Sequence, residues 1–349
     1  MQKVLFIRWV FPLLATFTII CYLSVLIPPT FFWPAVFASY AIPAVLLVNA
    51  ILLPVTLFFY RRKIFYPLLG LLAGVPFVLV TYSHHRPQPR EAKMISVLSL
   101  NAKLFRKSRM YNEFSTDLIS WVAADSSDIK CFQEYSTNAR WEPLDVTGQI
   151  KKQGFNGFIH RATMDGAHNP GLAIFSKYPI LDTGTVWIRP GSLNDGIFVD
   201  IDLGYDTVRI YNVHLESMKL LLYQYKNAEN YPWKMKHLVS RLKDGAAQRS
   251  YQIDRLITHT RVCPHPFIIC GDFNETPYSF NYFLLRQHFS NAFEQAGRGF
   301  GFSLNSVLFF LRIDHHFYGP GIEALDYRVD RSMKVSDHFP TRGRYTISR

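Results

Sequence analysis

A chain of 349 residues has room for one large domain of about 250 residues and something smaller. Its 38 basic and 26 acidic residues leave a formal charge of +12, which fits an anionic substrate or membrane surface and equally fits ordinary solubility. The four cysteines, Cys21, Cys131, Cys263 and Cys270, have no spacing that makes a zinc site and read as small buried thiols.

The chain begins with a lipid-like quarter. No Asp or Glu precedes Glu91, and residues 1–84 hold only Lys3, Arg8, Arg61, Arg62 and Lys63 as bases. Three uncharged stretches, at about 9–27, 35–60 and 64–82, approach or exceed the ~20 apolar residues that cross a bilayer core. Aromatics mark their ends, as in an interfacial belt, and Pro12, Pro43, Pro54, Pro67 and Pro76 are better tolerated in membrane helices than in soluble ones. Residues 1–83 are therefore expected to be a transmembrane region of about three helices, with a hairpin plus a re-entrant segment as the alternative. The Arg61-Arg62-Lys63 cluster belongs in the cytoplasm by the positive-inside rule. A third crossing then puts everything after it on the extracytoplasmic side, and the layout suits a bacterial inner membrane. Residues 84–93, with two prolines and two histidines, read as a short stiff linker.

From Met94 onward, short apolar runs end in polar or acidic residues. Met94–Leu100 ends in Asn101, Ile129–Phe132 in Gln133-Glu134, Gly171–Phe175 in Ser176-Lys177, Val208–Val213 in His214, and Phe267–Cys270 in Gly271-Asp272-Phe273-Asn274. Their length and β-branched content favour buried strands, and a sheet presents a site at its strand ends. Glu134, Asp272 and Asp337 are candidate carboxylates for a hard cation such as Mg²⁺. His338 lies beside Asp337, and Asp314 ends another apolar run. An imidazole that titrates near neutrality suits water activation, and a carboxylate on its ring would fix its tautomer.

In this order LSLNAK, FQEY, GLAIFSKYPI, YNVHLES, GDFNETP, RIDHHF and SDHFP resemble the endonuclease/exonuclease/phosphatase superfamily, which includes deoxyribonuclease I, abasic-site endonucleases, neutral sphingomyelinases and inositol polyphosphate 5-phosphatases. The resemblance covers about residues 94–346, and it is the combination of GDFN, SDH and an upstream FQE that makes it specific. It implies an α/β fold for residues 94–349, a four-layer α/β sandwich of two facing mixed β-sheets flanked by helices, with the site at one end. It also implies roles. Glu134 is then the principal Mg²⁺ (or Mn²⁺) ligand, supported by Asn101 and Asp337. His214 stabilises developing phosphate charge, Asp272 positions or deprotonates the water, and Asn274 holds the phosphate. His338, paired with Asp314, is the general base or acid. Some members carry an acid where this chain has Lys103, which puts a second metal ion in doubt.

Bland alternatives stay open at this point: Asn101 as a strand-end turn residue, His214 as a core histidine, Asp272 and Asn274 as an Asx-rich turn. His160, His315 and His316 read as core or surface residues, and Glu216 and Glu275 as neighbours of the motifs. Two insertions bear on substrate. Met218–Lys243 interleaves aromatic and basic residues, which suits a lipid headgroup surface, nucleic-acid bases or an ordinary helical lid. Gly299–Leu311 is rich in Gly and Phe and lines a pocket mouth or returns to the core. The expectation is a membrane-anchored, Mg-dependent phosphoesterase whose partners are the lipid bilayer and a phosphoester from lipid, nucleic acid or a small molecule, with no obligate protein partner. An anchored nuclease on DNA or RNA and a catalytically silent binding module are the alternatives.

Overall fold

The computed structural model describes residues 2–86, 94–107, 113–161, 170–188, 192–217, 231–306 and 308–347. They fall into two units. One is Met1–Thr81 with Met218–Tyr251 and Thr276–Leu284, and the other is Tyr82–Ser217, Gln252–Glu275 and Leu285–Arg349.

The first unit starts with α1 (Gln2–Leu23), α2 (Ala35–Tyr40), α3 (Ile42–Phe59), α4 (Phe65–Ala73) and α5 (Val75–Thr81). Trp9–Leu26 and Ile42–Phe59 are long and apolar enough to cross a membrane. The stretch expected as one helix over 35–60 is broken after Tyr40, and α3 restarts with Pro43 in its first turn, where a missing N–H costs nothing. The stretch 64–82 is bent by 48° between Ala73 and Val75. Pro76 has no N–H to return to Leu72, and Gly74 passes so close to α1 and α3 that a Cβ there would lie 2.6 Å from the Tyr22 hydroxyl and 2.5 Å from Leu46. Polar contacts bind these helices where apolar contact alone is weak. Asn49 donates to Thr18 Oγ1 at 3.0 Å, and the Tyr22 hydroxyl donates to the Gly70 carbonyl at 3.0 Å. Such bonds contribute about 0.6 kcal/mol each in apolar surroundings. In the same unit the Tyr278 and Thr81 hydroxyls pair at 2.8 Å, and the Phe283 ring packs edge-on against Phe77.

The second unit is a sandwich of two six-stranded sheets. Numbered in chain order from β1 (Ser83–His84), the first sheet holds β2 (Met94–Asn101), β3 (Ile129–Tyr135), β4 (Asn156–Arg161), β5 (Gly171–Ser176), β13 (Ile322–Val329) and β14 (Thr341–Ile347), in the spatial order β13-β14-β2-β3-β5-β4. The second holds β6 (Ile180–Trp187), β7 (Gly196–Asp202), β8 (Thr207–His214), β9 (Phe267–Asp272), β10 (Ser290–Asn291) and β12 (Asp314–Tyr318), in the order β10-β12-β9-β8-β7-β6. Each sheet has one parallel pair near its middle, β2 with β3 and β8 with β9. The remaining pairs are antiparallel.

Val97, Cys131, Ile174, Val199, Ile210 and Cys270 fill the space between the sheets. A buried polar link joins the sheets as well: Gln133 donates to Asn212 Oδ1 at 2.6 Å, and Asn212 donates to the carbonyls of Phe132 and Ala173. On the outer face of the first sheet, α6 (Thr116–Ala124) and α7 (Val146–Lys151) bury Leu118, Val122 and Ile150 against Leu98, Phe132 and Phe175. Ser115 caps α6 at its start by accepting from Leu118 N–H. At its end the buried Lys130 ammonium donates to the Val122 and Ala123 carbonyls, satisfying the acceptors a helix leaves open. Burial, helped by Lys177 and Arg342, pushes that lysine down to about 8. On the second sheet, α8 (Tyr231–Arg261) presents His259 to the Tyr211 hydroxyl at 2.9 Å.

Of the expected linker, residues 87–93 lie outside the described residues. His84 is in β1, which pairs with β11 (Arg298–Gly299), and His85 N–H bonds to the Gly297 carbonyl. In the Met218–Lys243 insertion, residues 218–230 lie outside the described residues, and Trp233 and Met235 on α8 are exposed.

Candidate active site

The central parallel pairs deliver four polar side chains to one end of the sandwich. Asn101 closes β2 and Glu134 lies near the end of β3, while His214 and Asp272 are register partners closing β8 and β9. Antiparallel β12 begins at that same end, with Asp314 opposite Asp272, and His338 stands just before β14. The polar strand ends expected to present a site therefore converge on one place.

Local backbone strain helps aim these groups. Glu134 has φ 47° where the pairing of β3 with β5 slips, and Asn274 has φ 49°. Left-handed backbone costs a non-glycine residue roughly 1–3 kcal/mol, and it turns the side chain out of the strand alternation. Lys103, Leu104 and Phe105, just after Asn101, are left-handed as well.

Asn101 joins two carboxylates. Its Nδ2 lies 3.1 Å from Asp272 Oδ2 and 3.5 Å from Glu134 Oε1, and its Oδ1 accepts the Lys103 N–H at 3.1 Å. Asp272 Oδ2 also lies 3.5 Å from His214 Nε2 and 3.6 Å from His338 Nε2. Its other oxygen accepts the Asn274 N–H at 3.0 Å, and Asn274 Nδ2 donates to the Leu215 carbonyl. His214 donates from Nδ1 to the Leu193 carbonyl at 3.0 Å, so its Nε2 points at the cluster. Asn101 thus links Glu134 to Asp272, and Asp272 in turn lies beside both imidazoles.

His338 is the most strongly perturbed of these groups. Its Nδ1 donates to Asp314 at 2.9 Å. Burial works against its charge, but Asp314, Asp272 and Asp337 outweigh it and raise the imidazole from 6.5 to about 10. Asp272, Asp314 and His338 bring ligand atoms within 4.8 Å of one another. The same trio has the donor types for a cation and, with the His338 ring on Asp314, for proton and phosphate handling. Glu134, outside that trio and joined to Asp272 through Asn101, is a further hard-cation donor. Asp337 is half-buried, and its carbonyl accepts the Asn305 N–H.

Supporting residues escaped the sequence reading. The Ser336 hydroxyl donates to the Asn101 carbonyl at 2.7 Å and accepts the His338 N–H. Ser303 Oγ accepts the backbone N–H groups of Ile313 and Asp314, fixing the start of β12. The Asp195 carbonyl accepts the His214 N–H, and the Asp195 side chain lies 3.5 Å from His160. Ser336 could have been found as the first residue of SDH. Nothing local distinguishes Ser303 or Asp195. His316 is a core residue between the Tyr345 and Thr341 hydroxyls, and His315 lies 2.8 Å from the Glu275 carbonyl. Glu216 uses its backbone N–H to hold Gln252.

The sequence profile of the Endonuclease/Exonuclease/phosphatase family matches residues 98–338. The chain belongs to that family. Its members are phosphoester hydrolases that generally use divalent metal ions. A second profile, Domain of unknown function (DUF8431), matches residues 2–81. No curated protein sequence matches significantly.

Solved structures share the fold at low identity. An endonuclease/exonuclease/phosphatase from Beutenbergia cavernae aligns at 16% identity and TM-score 0.54, over 73% of this chain and 72% of that one. The human Nocturnin catalytic domain with bound sulfate aligns at 14% identity and TM-score 0.52, over 75% and 100%. ANGEL2, described as a 2',3'-cyclic phosphatase, aligns at 14% identity and TM-score 0.50, over 75% and 97%.

Proposed function

We propose that this family member is a membrane-anchored, Mg²⁺- or Mn²⁺-dependent phosphoesterase. The observation that carries the reading is the convergence of Asn101, Glu134, His214, Asp272 and the Asp314–His338 pair in one cluster. The donor set fits a hard divalent cation: Glu134 and Asp337 offer carboxylate oxygens, and Asn101 holds Glu134 in place from the neighbouring strand. When bound, the cation would polarise the phosphoryl oxygens and offset charge gathering on phosphorus.

The chain's own residues supply the rest. Asp272, an acceptor flanked by two imidazoles, orients the attacking water and accepts its proton. His214, as the imidazolium that can donate from Nε2 while Nδ1 stays on the Leu193 carbonyl, and the Asn274 amide are donors that strengthen as negative charge develops. His338, charged through Asp314, donates a hydrogen bond or its proton to a phosphate oxygen. Hydrolysis of bis-p-nitrophenyl phosphate by the full chain in neutral detergent tests this assignment. His338→Ala and Glu134→Ala should each abolish turnover, and full activity in both variants would refute it.

The fold does not choose the substrate. Anchoring favours a phosphodiester or phosphomonoester at the membrane, because confinement raises effective concentration toward membrane-borne substrates. Residues 1–83 would form the anchor and 94–349 the catalytic domain, with the bent pair α4–α5 as the last crossing and the sandwich outside the cytoplasm of a bacterial inner membrane. A reporter fused after Arg349 tests the orientation. An extracytoplasmic signal is expected, and a cytoplasmic one would make α4–α5 a re-entrant loop instead.

A further inference from the structure

A cavity of about 810 Å³ opens between the 298–309 segment and the outward face of the β13–β14 edge of the first sheet. Its charge is one-sided. Arg298, Arg328, Arg331 and Arg344 line it against a single acid, Asp326, and that acid lies 3.4 Å from Arg344. Across the hairpin, Arg328 stands directly opposite Arg342, which is outside the cavity lining. Like charges in that relation repel. Arg342 is neutralised by Asp125 and Asp330, whereas Arg328 is exposed and has no acidic partner among the described residues. Arg298 and Arg331 are oriented by bonds to the carbonyls of His85 and Phe302, at 2.9 and 3.3 Å.

The other wall is aromatic. Phe300 and Phe302 stack at 5.2 Å, Phe339 lies under the Arg331 guanidinium, and Phe309 is 66% exposed. Guanidinium groups match phosphate oxygens in number and geometry, and exposed phenylalanines are stable in water only at a cost that an apolar ligand removes. The volume is that of a drug-sized ligand rather than a bare anion. The aromatic lip is also held at a particular point of the chain. The Tyr82 ring packs edge-on against Phe300 at 5.3 Å, and Tyr82 is the residue after the last apolar helix.

We propose that this cavity, whose lining includes none of Asn101, Glu134, His214, Asp272, Asp314 or His338, is a second ligand site for a phosphate ester that carries an apolar chain. The arginines hold the phosphate and the phenylalanines hold the first part of the chain. Such a ligand could be a lipid headgroup or a soluble phosphate ester. Titration of the full chain in neutral detergent without divalent cations separates these sources. The probes are inorganic phosphate, glycerol 1-phosphate and dihexanoyl phosphatidic acid, read by a heat or fluorescence signal.

Dihexanoyl phosphatidic acid should bind most tightly. Arg328→Ala should weaken it by about tenfold, the loss of one charge-assisted contact. Phe309→Ser should remove its advantage over glycerol 1-phosphate while leaving glycerol 1-phosphate binding intact. Both side chains are solvent-exposed, so the variants should fold, and bis-p-nitrophenyl phosphate turnover should be unchanged in each. Equal binding of glycerol 1-phosphate and the lipid would overturn the proposal, because the phenylalanines would then hold no chain. Binding unaffected by Arg328→Ala would overturn the proposal, whatever the outcome for catalysis.

Discussion

Replacing Asp314 with Asn tests the acid–base half of the site. The swap keeps size and removes one charge from a group that meets the His338 ring at 2.9 Å. Raising the imidazole from 6.5 to about 10 corresponds to about 4–5 kcal/mol in favour of the charged ring. Three carboxylates share that effect, and Asp314 contributes both the strongest attraction and the hydrogen bond. Its loss should remove about half, roughly 2 kcal/mol, or about 30-fold in the protonation constant of the ring. An asparagine that donates toward Nδ1 would also select the wrong tautomer, bringing the expected fall in kcat to about 10²–10⁴-fold. The assay is kcat/KM for bis-p-nitrophenyl phosphate across pH, with a thermal melt as the folding control. The charged ring is the active form and is lost as pH rises through its folded pKa, so Asp314→Asn should move the alkaline limb toward neutrality. A folded variant with kcat/KM within about twofold of the native chain at every pH would refute the role given to this pair.

Two further changes probe the frame that positions the site. Gln133→Leu removes the donor to Asn212 Oδ1 between the two sheets, and the stranded acceptor should cost about 1–3 kcal/mol, seen as a melting temperature lower by several degrees. His316 is held near 3 by burial alone, so the unfolded chain takes up a proton below about 6.5 that the folded chain refuses. Stability should therefore fall by up to about 1.4 kcal/mol per unit as pH drops from 6.5 toward 3. In His316→Gln the pH dependence of the melting temperature should be shallower, and an unchanged slope would contradict the assignment.

How much of this was legible in the sequence differs from residue to residue. Asn101, Glu134, His214 and Asp272 each close an apolar run, and strand ends of central parallel pairs must lie together, so their convergence follows from the pattern. The partner of His338 was legible through motif order, since Asp314 opens the strand next to Asp272. Ser303 and Asp195 were not, because they act on backbone N–H groups and carry no spacing signal. The break at Gly74 was hidden because apolar length says nothing of a bend that depends on Tyr22 and Leu46 from other helices. The arginine-lined cavity was equally hidden. Its Phe-rich wall stood out at 299–311, but Arg328 and Arg344 opposite come from two strands further along the chain and are brought there by the hairpin register.

The most direct measurement is turnover of a phosphodiester by the full chain in lipid nanodiscs, before and after chelation and after adding back Mg²⁺. Hydrolysis that stops on chelation and returns with Mg²⁺, in the native chain but not in Glu134→Gln, is the expected result. Hydrolysis that persists undiminished in the chelator, or in Glu134→Gln, would contradict a cation held at this carboxylate.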